Sequence, residues 1–198
     1  MGDDNTPINF PDSNLEAEIR NAISKPEGDI IASDLQDLTV LYAVGKGIEN
    51  LEGLQYCLNL TEVVFYSNQI TDLTPLAELT NLTEINLNSN EINELSPLAG
   101  LINLNRLNLS SNEITDLSPL AKLINLNVLY LCSNKITDLS SLAELINLNV
   151  LNLGNSYIFF VRPVETEIEL DIITLQRHLA DNCLKLQSLY KKSSITTY

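Results

Sequence analysis

Few residues in this 198-residue chain are placed for chemistry. The one histidine, His178, stands beside Arg177. General acid–base work would need it within hydrogen-bond reach of a nucleophile or an orienting carboxylate. No serine or cysteine motif accompanies it, so the sequence predicts a surface position on a tail helix. Acids are plentiful, but Asp72, Glu94, Asp116 and Asp138 recur at one fixed interval. A recurring carboxylate predicts turn or capping duty in every unit, not one acid–base pair. Cys57, Cys132 and Cys183 are scattered, odd in number and without a C-x-x-C, which argues against a disulfide framework or zinc site. There is no phosphate loop, H-E-x-x-H or EF-hand spacing, and "GDD" at the start is too short for a calcium site. The expectation is no catalytic residue, no metal and no cofactor.

What the sequence does carry is repetition. At intervals of 22 residues, copies start at Asn59, Asn81, Asn103, Asn125 and Asn147, with a weaker copy from Asp37 and a truncated last one. Leucine, isoleucine, valine or phenylalanine fills the second, fifth and seventh positions, and asparagine the tenth: Asn68, Asn90, Asn112 and Asn134. Isoleucine follows at twelve and leucine at 15, 18 and 21. The pattern L-x-x-L-x-L-x-x-N at fixed period is the leucine-rich repeat signature. In "EINLN", Ile85 and Leu87 alternate with Glu84, Asn86 and Asn88, so one face of a short strand is apolar. A single strand cannot bury that face, and stacked coils can. The predicted fold is an α/β solenoid: a right-handed arc with a parallel sheet on the concave face, short helical turns on the convex face and a helical N-terminal cap. The tenth-position asparagines should point inward as a structural ladder that satisfies backbone groups at each turn. Thr74-Pro75, Ser96-Pro97 and Ser118-Pro119 read as an N-cap followed by proline at the first helical position; Ser141 lacks the proline.

Residues 1–36 read as the cap, with a capping box at Ser13-Asn14-Leu15-Glu16, an apolar stripe of Leu15, Ile19, Ala22 and Ile23, and a stop at Lys25-Pro26-Glu27-Gly28. Ser33 to Gln36 offers a second, shorter capping box. Repeats occupy residues 37–156. Residues 157–198 read as a C-terminal cap and loose tail, with a strand-like alternation over 164–171 and a helical stripe of Ile172, Leu175, Leu179, Leu186 and Tyr190. The sequons at Asn59, Asn81 and Asn108 are products of the repeat.

Net charge is −15, from 26 acids and 11 bases, yet residues 157–198 are balanced, with five of each. Such a surface repels phosphate backbones and anionic lipid, so nucleic acid is excluded as a partner. The apolar runs are a few residues long, which excludes direct membrane insertion by a helix.

The 22-residue period with "ITDLxPLAxL" and flanking "NLT" resembles the internalin-type leucine-rich repeat proteins of bacteria over about residues 37–156, and "DLTVLYAVGKGIENLEGLQYCL" resembles their first repeat. The resemblance implies a non-enzymatic module, secreted or displayed at the cell surface, that binds proteins through the concave sheet. The polar N-terminus favours a cytoplasmic site instead.

The fourth, sixth and eighth repeat positions form the open face of the sheet. There the expected partner-binding residues are Tyr42, Val44, Glu62, Val64, Tyr66, Glu84, Asn86, Asn88, Arg106, Asn108, Val128, Tyr130 and Asn152. Clustered tyrosine among polar neighbours is the composition of interface hot spots, although strands favour exposed tyrosine and β-branched residues on their own account. A protein partner docking on a monomer is the leading expectation. A spacer arm of a larger surface protein, or a regulatory subunit of an intracellular enzyme, are the competing readings.

Overall fold

The fold rests on one repeated event: a three-residue strand that turns, crosses the back of the molecule and returns beside itself. The computed structural model describes residues 6–154 and the backbone of Tyr157–Phe159. Strands β1 (Val40–Tyr42), β2 (Glu62–Val64), β3 (Glu84–Asn86), β4 (Arg106–Asn108), β5 (Val128–Tyr130) and β6 (Val150–Asn152) pair in chain order. All five pairings are parallel, and every partner lies one repeat away, as in Leu41↔Val63 and Leu107↔Leu129. The sequence period and the ladder register are therefore the same quantity.

The second, fifth, seventh, twelfth, fifteenth, eighteenth and twenty-first positions converge on a continuous core. In the coil from Asn81, Leu82, Ile85, Leu87, Ile92, Leu95, Leu98 and Leu101 are all buried. Where the first two coils depart from leucine, the core adjusts: Ala43 and Phe65 occupy the seventh position in adjacent coils, both fully buried. Cys57 takes the place of a leucine at the twenty-first position, and burial pushes its thiol up to about 12, so it acts as a core residue with no reactive thiolate.

The return segments on the convex side are 3₁₀ turns, Leu54–Tyr56, Thr74–Leu76, Ser96–Leu98, Ser118–Leu120 and Ser140–Leu142. Their caps differ from expectation. Thr74, Ser96 and Ser118 are the first residues of the turns, not their caps; the cap positions are Leu73, Leu95 and Leu117, which offer no side-chain bond. The acid two residues earlier accepts the orphan N–H instead: Asp72 from Thr74 at 2.8 Å, Glu94 from Ser96 at 2.8 Å, Asp116 from Ser118 at 2.8 Å and Asp138 from Ser140 at 2.8 Å. Those backbone bonds, with the serine hydroxyls second, hold the Asp116 and Asp138 carboxyls below their ordinary range. Ser140-Ser141 makes the same turn without proline.

Helix α1 (Ser13–Ala22) covers the first coil through Leu15 and Ile19. Its N-cap is Asp12, one residue before the expected Ser13, because the Asp12 carboxylate reaches the N–H groups of Asn14 and Leu15. Glu16 is engaged with Arg20 at 2.7 Å rather than closing a capping box. The helix ends before Lys25-Pro26: Ser24 turns left-handed at φ 55°, Ser24 N–H bonds Asn21 and Lys25 N–H bonds Arg20, a Schellman ending that leaves Ala22 exposed. The expected box at Ser33 to Gln36 is likewise shifted, to a 3₁₀ turn Ala32–Leu35 whose Asp34 carboxylate accepts the Ile31 N–H at 2.9 Å.

At the other end, strand β7 (Tyr157–Phe159) pairs antiparallel with β6, with Val150 opposite Phe159. The sequence pattern placed no strand there. The expected strand over 164–171, the helical stripe from Ile172 to Tyr190, His178 and Cys183 all lie outside the described residues.

Candidate functional site

Strand alternation decides what the sheet offers: Leu41, Val63, Ile85, Leu107, Leu129 and Leu151 point into the core, and their neighbours point away. Six strands at roughly 4.8 Å make this face about 24 Å across. Its most exposed large apolar groups lie at the N-terminal end, where Tyr42 is 59% and Tyr66 40% accessible. The Tyr42 hydroxyl donates to Glu62 at 3.0 Å, and that bond, with some desolvation and the charges of Glu62 and Glu84, pushes the phenol above its ordinary range. Arg106 reaches across one strand to Glu84 at 3.1 Å. Both partners are well exposed, so the pair contributes less than about 1 kcal/mol to stability and serves to hold two charged groups in register. Val44, Glu62, Val64, Glu84, Asn86, Asn88, Asn108 and Tyr130 are half-buried on the same face, with Arg106 exposed.

Two of the expected contact residues are not open. Val128 and Asn152 are each 8% accessible. Asn152 is engaged by both the preceding coil and its own: its Oδ1 accepts from the Cys132 thiol at 3.0 Å and from the Gly154 N–H at 3.1 Å. Val128 lies between Arg106 and Val150 in the ladder. The accessible part of the face is therefore concentrated on β1 to β4.

The face is held in place by asparagines of two kinds. Asn90 Oδ1 accepts the N–H of Ile70 in the preceding coil at 3.0 Å, while its Nδ2 donates to Phe65 and Leu87 carbonyls, each at 3.0 Å. Asn68 accepts from Lys46 and Ile48 and donates to Ala43 and Phe65. Asn112 accepts from Ile92 and Asn134 from Ile114 in the same manner. Each amide thus ties two coils at the exit of the strands. A second ladder on the outside uses the first repeat position: Asn59, Asn81, Asn103, Asn125 and Asn147 donate through Nδ2 to Gln36, Leu58, Thr80, Ile102 and Ile124. Sequence reasoning used that column only to mark the period, although five asparagines in one column were the signal. The amides of the sequon residues Asn59 and Asn81 are committed to this ladder.

The strand exits themselves are strained. Ser67, Ser89, Ser111 and Ser133 all adopt φ between 55° and 60°, where the first coil has Gly45 at 63°. On the flank beyond, Glu49, Asn50, Gln69, Thr71, Asp72 and Glu91 line an open polar groove of about 540 Å³. Among the described residues, no three histidine, cysteine, aspartate or glutamate side chains are grouped to hold a metal ion, and no helix is long and apolar enough to cross a membrane.

The family described as Leucine Rich repeats (2 copies) matches residues 58–100, 80–122 and 102–144. Among solved structures, the chain is similar to the internalin inlF from Listeria monocytogenes, at 29% identity, covering 75% of this chain and 52% of that one, with a TM-score of 0.64. It is also similar to internalin C2 from the same organism, at 29% identity over 75% of this chain and 96% of that one, with a TM-score of 0.44. The first superposition is the closer in shape and carries the comparison; the chain spans about half the length of that internalin.

Proposed function

We propose, from the premise that this chain is a leucine-rich repeat protein of the internalin type, that it is a non-catalytic binding module whose concave sheet docks a protein partner. The observation that carries the reading is the exposure of Tyr42 and Tyr66 on adjacent coils, large groups left open on an otherwise hydrogen-bonded face. Tyrosine loses little rotamer entropy on binding and offers both apolar area and a hydroxyl, which suits it to anchor an interface. Glu62, bonded to the Tyr42 hydroxyl, and the Glu84–Arg106 pair on the next two strands serve as orienting charges. The module works outside the cell or at its surface, in keeping with the internalin likeness.

Site-specific photocrosslinking tests this. A benzophenone amino acid at Tyr66 should give a discrete protein adduct, and the same group at the exposed convex Ala143 should not. Adducts of equal yield from both positions would remove the concave reading, and none from either would favour a spacer.

A further inference from the structure

Across the middle of the concave sheet, the sixth repeat position forms one row in register: Tyr42, Val64, Asn86, Asn108 and Tyr130. Its two asparagines belong to neither structural ladder. Asn86 Oδ1 accepts the N–H of Asn88 at 3.2 Å, and Asn108 Oδ1 accepts the N–H of Ser110 at 3.1 Å. A backbone N–H only donates, so these bonds fix which end of each amide is the oxygen. Neither Nδ2 donates to another described residue. No buried side-chain nitrogen or oxygen lacks a partner among the described residues, so both nitrogens reach solvent. The centre of the row therefore offers hydrogen-bond donors, with Val64 beside them and a tyrosine at each end.

We propose that the partner lays an extended segment of its chain across this row, with main-chain carbonyls accepting from Asn86 and Asn108 Nδ2 and side chains resting on Tyr42 and Tyr130. The inference rests on the concave reading above and narrows its partner. Length agrees: four strand steps of roughly 4.8 Å make about 19 Å, the span of about six extended residues. Extended carbonyls on one side recur at about 7 Å and each has two lone pairs, so amides on neighbouring strands both reach one. The polarity of the amides selects the acceptor. A carboxylate would approach a chain of net charge −15, on a face whose Arg106 is already paired with Glu84. A sugar hydroxyl must donate as well as accept, and both Oδ1 atoms already accept backbone N–H groups. A main-chain carbonyl only accepts, which is what two fixed donors fit.

Panning a displayed library of random peptides about eight residues long on the intact protein supplies the probe. Enriched peptides are then titrated against variants by fluorescence polarisation. Asn86→Asp and Asn108→Asp keep an oxygen for the backbone N–H and exchange only the donor for an acceptor. Each should weaken the peptides about ten-fold or more, with the thermal midpoint recorded for every variant. Asn93→Asp adds the same charge on the exposed flank and should change nothing. An amide-to-ester exchange at the peptide's centre makes a poorer acceptor; it should weaken binding to the parent and have little effect on binding to Asn108→Asp. Peptides that need Tyr42 but ignore both Asn→Asp changes would overturn the inference and leave the concave reading standing. Enriched peptides dominated by Asp and Glu would assign the amides to a carboxylate and overturn it. So would no enrichment at all, or peptides indifferent to Tyr42→Ala and both Asn→Asp changes, and that last result would sink the concave reading as well.

Discussion

The carboxylate of Asp12 accepts the backbone N–H of Glu49 at 2.8 Å across 37 residues of sequence. The same oxygen takes Asn50, and the other oxygen caps α1 through Asn14 and Leu15. One side chain therefore starts the capping helix and fastens it to the first coil. Asp12→Ala should cost about 1–3 kcal/mol, the sum of a lost cap and of donors left without an acceptor. Denaturant unfolding of the two proteins measures it.

Acid should weaken the same joint. Partial burial pushes the Asp12 carboxyl up, but the N–H groups of Glu49, Asn50, Leu15 and Asn14 outweigh it and hold the group below its ordinary 3.8. A carboxyl depressed on folding contributes stability that is complete above its unfolded value and is lost as pH falls through the folded one. Asp116 and Asp138 are depressed in the same sense by the turns that they cap. Stability should be flat from neutral pH to about 5 and fall below about 4. Asp12→Asn should flatten part of that fall, read as the thermal midpoint against pH.

Gly53 packs the cap from the other side. Its φ is 100°, and an added Cβ would lie 2.4 Å from the Phe10 ring and 2.8 Å from the Asn9 carbonyl. Backbone cannot yield as a flexible side chain would. Gly53→Ala should therefore lower stability by more than about 2 kcal/mol and expose Phe10, a change visible in proteolysis of the N-terminal segment.

The inner ladder and the strained serines give opposite signs. Asn112→Ala leaves the buried Ile92 N–H without its acceptor and removes one of the two amide donors to each of the Leu87 and Leu109 carbonyls, which Asn90 and Asn134 still reach, and should cost about 1–3 kcal/mol. Ser111→Gly relieves a left-handed φ of 56° and should raise stability slightly, whereas Ser111→Val should lower it by more than about 1 kcal/mol, both read by denaturant unfolding.

Periodicity made much of this legible in advance. A 22-residue repeat dictates both register and core, so Leu87, Leu109 and Leu131 lie buried on successive coils as their column implies. Pattern is silent where one atom decides. The sequence predicts Ser13 as the cap, but the Asp12 carboxylate reaches Asn14 and Leu15 and also the distant Glu49, a contact no local pattern shows. The reversal at β7 breaks the repeat and so left no periodic trace. On the concave face, alternation places Val128 and Asn152 outward, yet both are buried, Asn152 with bonds from Cys132 and Gly154 that no single-strand pattern encodes.

The affinity of a purified partner for Tyr42→Ala/Tyr66→Ala against the parent, by titration calorimetry, tests the binding claim most directly. Binding should weaken at least 100-fold, as loss of two aromatic anchors implies, while the thermal midpoint moves by no more than about 2 °C. Equal affinity with both rings removed would contradict the account and move the interface off the sheet.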